Sequence, residues 1–75
     1  MKIWIANVDT TCGQFFIASK SESKLTKELA EYCIDLANDY EIDLAACKTD
    51  QDIINCYFDE MIDDFYRIEQ VNLID

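Results

Sequence analysis

Carboxylates dominate the chemistry open to this chain. Between Glu28 and Asp64 stand twelve acids, at positions 28, 31, 35, 39, 41, 43, 50, 52, 59, 60, 63 and 64, against one base, Lys48. That is a net −11 within 37 residues, whereas residues 1 to 27 come to +2 and residues 65 to 75 to −1. Such a group can ligate a hard cation, move protons, or pair with the Lys and Arg of a partner. The first two roles need company that is missing. The run Asp59-Glu60-Met61-Ile62-Asp63-Asp64 lacks the spacing and the glycine of a calcium loop, and Asp43 through Asp52 is no closer to one. There is no His, no Gly-rich phosphate loop and no nucleophile motif, and nothing singles out one carboxylate pair for acid–base work. The expectation is a non-enzymatic protein with no cofactor and no metal.

Pairing with a basic partner is favoured by the spacing. Glu28, Glu31, Asp35 and Asp39 follow intervals of three, four and four, which predicts one exposed helical stripe. Asp52, Asp59 and Asp63, flanked by Glu60 and Asp64, predict a second. A merely solvated face would alternate signs, yet Glu31 with Asp35, Asp35 with Asp39, Asp59 with Asp63 and Glu60 with Asp64 are like-charge pairs at i,i+4. Each destabilises a helix by ~0.2–0.5 kcal/mol, so four cost about 1–2 kcal/mol. Asp35, Asp39, Asp63 and Asp64 also fall at predicted helix C-termini, where the macrodipole disfavours an anion by ~0.3–1 kcal/mol. Successive carboxylates at i,i+4 rise about 6 Å along the axis, comparable to the spacing of phosphates along a strand. The stripes therefore predict a surface that imitates a phosphate backbone and competes for the basic groove of a nucleic-acid-binding protein. The predicted partner-binding residues are Glu28, Glu31, Asp35, Asp39, Asp52, Asp59, Glu60, Asp63 and Asp64.

Cys12, Cys33, Cys47 and Cys56 form no CxxC pair and have no His to complete a zinc set. Met1 is followed by no basic region and apolar stretch of signal-peptide type, so the four are expected as reduced cytosolic thiols. The longest uncharged stretch, Thr10 to Ser19, is about half of what a membrane-spanning helix needs.

The elements that must carry these residues fit in one small domain, residues 1 to 75. The overall charge of −10 argues against direct nucleic-acid binding, and 51% hydrophobic residues argue against a disordered acidic tail. Residues 2 to 8 and 14 to 18 are rich in β-branched and aromatic types, with the only glycine, Gly13, in the short connection between them. They predict a β-hairpin. Ile3 and Ile5 alternate with Trp4, Ala6 and Val8, and Phe15 and Ile17 with Phe16 and Ala18. Helices on one face leave either Ile3, Ile5, Phe15 and Ile17 or Trp4 and Phe16 partly exposed. Ser21 and its neighbours offer an N-cap, and Leu25, Leu29, Tyr32, Cys33, Leu36, Ala37 and Tyr40 predict a helix over 22–39. Residues 41 to 48 lose the period and predict a loop. Thr49-x-x-Asp52 fits a capping pattern, and Ile54, Tyr57, Phe58, Met61, Ile62 and Phe65 predict a second helix ending near Asp64 or Phe65. Residues 66 to 74 return to a β-type pattern. The predicted fold is α+β, in the order ββααβ: a three-stranded antiparallel sheet, first strand central, with two helices on one face.

The hairpin from Ile3 to Ala18, followed by Ser-Glu-Ser-Lys-Leu and a helix ending in Asp-Tyr, is similar to many short mobile-element proteins. With its acidity, the whole resembles the anti-CRISPR proteins of the DNA-mimic kind that phages and plasmids encode against host defence. The likeness spans nearly the whole chain and rests on element order, size and charge rather than on a binding motif. It implies an inhibitor, in the cytoplasm of a bacterial host, that occupies the DNA-binding surface of a CRISPR effector complex. Two alternatives share the composition. One is an acidic immunity protein or antitoxin for a nuclease. The other is a structural adaptor or homodimer built on the exposed sheet face.

Overall fold

A computed structural model describes residues 1–11 and 13–74; Cys12, and with it that part of the hairpin connection, lies outside the described residues. The elements run β1 (Lys2–Thr10), β2 (Gly13–Ser19), α1 (Glu22–Asp39), α2 (Asp50–Glu60) and β3 (Phe65–Asn72). The three strands form one antiparallel sheet in the order β2-β1-β3. The first strand is central, as expected. Gly13 opens β2 at φ 135°, a conformation that only glycine adopts without strain.

The register decides which side chains meet the helices. Val8 faces Phe15 on β2 and Tyr66 on β3, and Ala6 faces Ile17 and Ile68. These residues, with Trp4, line the inner face. The outer face carries Ile3, Ile5, Asn7 and Asp9 with Phe16, Ala18, Phe65 and Arg67. The expected grouping of Phe15 and Ile17 with Ile3 and Ile5 is thus corrected. Antiparallel pairing through Thr10 and Gly13 sets even positions of β1 against odd positions of β2.

Ser21 caps α1 by accepting from the Lys24 N–H at 3.4 Å, and Thr49 caps α2 by accepting from the Asp52 N–H at 3.1 Å. Leu25, Leu29, Ala30, Cys33 and Ala37 bury one stripe of α1, and Ile54 and Tyr57 bury the matching face of α2 against Ala6 and Val8. Burial of each Leu or Ile in this layer is worth ~1.5–3 kcal/mol. Aromatic contacts tie helices to strands: Phe15 meets Tyr32 at 4.4 Å between ring centroids, and Phe58 meets Tyr66 at 4.7 Å.

The second helix stops at Glu60, with Met61 as its C-cap, not near Asp64 or Phe65. The apolar spacing runs on, but tertiary bonds overrule it. The Asp64 N–H closes a turn onto the Met61 carbonyl at 2.9 Å, and Phe65 enters the ladder opposite Asp9. Ile62 and Phe65, expected on the helical stripe, are consequently exposed.

Helix α1 ends in a left-handed turn: the Ile42 N–H reaches back to the Ala37 carbonyl at 2.9 Å, and Glu41 sits at φ 58°. A residue with a Cβ in this region costs roughly 1 kcal/mol. Glu41→Gly is therefore expected to raise stability by about 0.5–1 kcal/mol in urea denaturation.

Candidate functional site

The candidate site is the outward side of the helical layer. The buried stripe of α1 turns Glu28, Glu31, Asp35 and Asp39 to solvent, and all four are exposed. From Glu28 to Asp39 they span ~17 Å of helix. On α2, Asp52 and Asp59 lie two turns apart on the side opposite Ile54 and Tyr57, with Glu60 beside Asp59 and Asp63 in the following turn; all four are exposed.

Two predicted site residues have structural work. Asp52 accepts from the Lys48 N–H at 3.3 Å, so it holds the loop to the start of α2 while remaining exposed. Asp64 is corrected outright: it is 5% exposed and does not belong to the surface. Its Oδ1 accepts from the Thr11 N–H at 3.1 Å, and its Oδ2 accepts from the Tyr57 hydroxyl at 3.1 Å. Burial first, then the hydrogen bond and charge of Asp64, push the Tyr57 phenol well above its ordinary 10.0.

The early end of α2 also removes two of the four like-charge pairs, because Asp63 and Asp64 are not helical. Repulsion between Glu31 and Asp35, and between Asp35 and Asp39, stays on α1 and costs about 0.4–1 kcal/mol in all. The last turn of α1 has no base to answer Asp39. Lys24 and Lys27 stand one turn before Glu28 and Glu31, so the least compensated part is the C-terminal half of α1 and the loop that follows. Among the described residues the one ion pair is Arg67–Glu69, on the sheet. Glu28, Glu31, Asp35, Asp39, Asp59, Glu60 and Asp63 thus have no cation in salt-bridge contact among the described residues.

The outer sheet face is the second surface. Phe16 and Phe65, 69% and 62% exposed, flank Asn7 and Asp9 of the central strand. With Gln14 and Arg67 they line an open groove of about 610 Å³. The Gln14 side-chain amide donates to Asp9 Oδ2 at 3.1 Å along its floor. The alternation of β1 and β2 signalled an apolar outer face, but only the register could say which aromatics it holds.

Among the described residues no helix is long and apolar enough to cross a membrane. Set beside family models, curated proteins and solved structures, the chain matches none of them.

Proposed function

We propose that the protein is a non-enzymatic inhibitor that lays its acidic helical surface in the basic nucleic-acid-binding cleft of a target protein, of the class of a CRISPR effector complex or a nuclease. The observation that carries this reading is the set of seven exposed carboxylates with no counter-ion among the described residues, part of which α1 holds against its own stability. Each carboxylate offers an Arg or Lys of the partner a charge-assisted pair, and the summed field speeds encounter. The same physics serves an immunity protein or antitoxin for a nuclease.

The test uses two variants, Glu31→Gln/Asp35→Asn/Asp39→Asn and Asp59→Asn/Glu60→Gln/Asp63→Asn. Target-DNA binding by purified effector complexes and nucleases is measured with each, at low and high salt. Inhibition by the parent chain is expected to weaken steeply with salt and to fall in both variants. The α1 variant should be more stable by about 0.4–1 kcal/mol, while the second should stay within about 0.5 kcal/mol of the parent. Inhibition unchanged in both variants would reduce the acidic face to a solvated surface.

A second reading, favoured by exposed Phe16 and Phe65, is a homodimer or adaptor contact through the outer sheet face. Apolar association of this kind should persist at high salt, and Phe16→Ser/Phe65→Ser should abolish it.

A further inference from the structure

Two thiols that the acidic surface does not use are brought together where the loop of residues 41–48 meets α2. Cys47, in the loop, donates its S–H to the Asp52 carbonyl at 3.7 Å, and Asp52 lies one helical turn before Cys56. Cys56 donates in the opposite direction, to the loop carbonyl of Asp43 at 3.7 Å. These reciprocal bonds place each sulfur against the other's segment. Both cysteines are half-buried and unbridged, unlike the fully enclosed Cys33. Among the described residues no third metal-ligating side chain joins them. The pair is therefore a dithiol and not a metal site.

We propose that Cys47 and Cys56 are a disulfide-forming pair, oxidised by hydrogen peroxide, whose bridge pins the 41–48 loop to α2. A bridge needs the two Cβ atoms about 3.5–4.5 Å apart and an S–S bond of ~2.05 Å. With each sulfur already seated on a carbonyl of the other's segment, this takes a shift of the loop, which has neither helix nor strand to resist it. The peroxide oxidises one thiol to a sulfenic acid and releases water. The second sulfur attacks that sulfenic sulfur, the S–S bond forms, and the hydroxyl leaves with the second thiol's proton as another water. Two thiols are oxidised and one peroxide is reduced. Partial burial, then Cys56, Asp52 and Asp43, raise the Cys47 pKa and disfavour its thiolate, so formation is faster at alkaline than at neutral pH. This site stands apart from the partner reading, since neither thiol contributes to the acidic surface.

The test treats the whole chain, dilute and monomeric, with hydrogen peroxide, followed by alkylation and digestion after both basic and Glu residues. That digestion leaves Cys33, Cys47 and Cys56 in separate peptides, 32–41, 42–48 and 49–60. The expected product joins 42–48 to 49–60 with the loss of two hydrogens, leaves Cys33 alkylated, and melts about 10 °C higher than the dithiol, because a ten-residue loop is closed. Dithiothreitol should restore the lower value, and Cys47→Ser should show neither the cross-link nor the rise. Cross-links that join Cys33 or Cys12 instead, or a bridged chain that melts below the dithiol, would overturn the proposal.

Discussion

Asp64→Ala is expected to lower the melting temperature by about 10–20 °C, whereas Asp63→Ala, one residue away, should shift it by only a few degrees. Both positions carry the same side chain in the same acidic run, so sequence alone treats them alike. Asp64 is enclosed, and its two oxygens serve two donors from distant parts of the chain. Truncation strands the hydroxyl of Tyr57, which is fully buried, and frees the Thr11 N–H at the hairpin. An orphaned buried donor costs ~1–3 kcal/mol, so the pair is worth about 2–4 kcal/mol. That is a large part of the ~4–11 kcal/mol available to a chain of this length. Asp64→Asn should cost less, because its amide can still accept from Thr11 and donate to the Tyr57 oxygen. Tyr57→Phe removes the partner from the other side, and a double-mutant cycle on Tyr57 and Asp64 should give a coupling of about 1 kcal/mol or more. Equal melting temperatures for Asp63→Ala and Asp64→Ala would show that the buried network holds nothing together.

The order ββααβ and the span of α1 were legible because each is written locally. A cap at Ser21, an unbroken apolar period and its loss after Tyr40 bound the helix without reference to anything else. The end of α2 was not legible for the opposite reason. Tyr57, Met61 and Phe65 keep helical spacing, while the groups that stop the helix include Thr11, 53 residues from Asp64 in sequence. The same distance hid the role of Asp64, and with it the loss of two repulsive pairs. Face assignment in the sheet failed on parity: alternation within a strand is visible in sequence, but its phase against the next strand depends on where the hairpin pairs. The α1 stripe was legible because four acids at helical intervals on a helix with a known inner face must point outward. The seating of Cys47 and Cys56 on each other's segments was not, since nine positions separate the two and the loop between them has no period from which to compute an approach.

These corrections concentrate the candidate surface. Asp64 is internal and Asp52 partly committed to the loop, so the carboxylates most available to a partner are those of α1 with Asp59, Glu60 and Asp63. The strongest local sacrifices of stability lie together at the end of α1: repulsion of Asp35 and Asp39, an anion at the negative end of the dipole, and Glu41 in a left-handed conformation. A sequence shaped by stability alone has ready substitutes at each of these positions, such as Lys at 39 or Gly at 41. Their coincidence on one side of the molecule is what a surface kept for a basic partner requires.

Raising the pH beyond 9 is expected to destabilise the protein progressively, and the groups chiefly responsible are in the core, not on the acidic face. Cys33 is fully enclosed, and burial pushes its thiol from the ordinary 9.0 up to about 12; Tyr57 is raised from 10.0 by burial and by Asp64. Both shifts favour the neutral, protonated form in the folded state. The stabilisation is therefore complete below pH 9 for Cys33 and below pH 10 for Tyr57, and is lost as pH rises towards the folded-state values. Above those limits the unfolded chain releases protons that the folded chain keeps, so stability falls by up to about 1.4 kcal/mol per pH unit for each group. Over its whole shift Cys33 alone amounts to about 4 kcal/mol, comparable to the lower end of the chain's total stability. Urea denaturation from pH 7 to 11.5 should show a plateau, a first decline above pH 9 and a steeper one above pH 10. Cys33→Ala will be less stable at pH 7 because it leaves a small cavity, yet its decline between pH 9 and 10 should be shallower than the parent's, because only Cys47 then contributes there. Tyr57→Phe should keep the first decline and lose the second. General repulsion among surface anions would instead leave both variants with the parent's slope, so the slope of each variant in each pH range distinguishes core titration from surface charge.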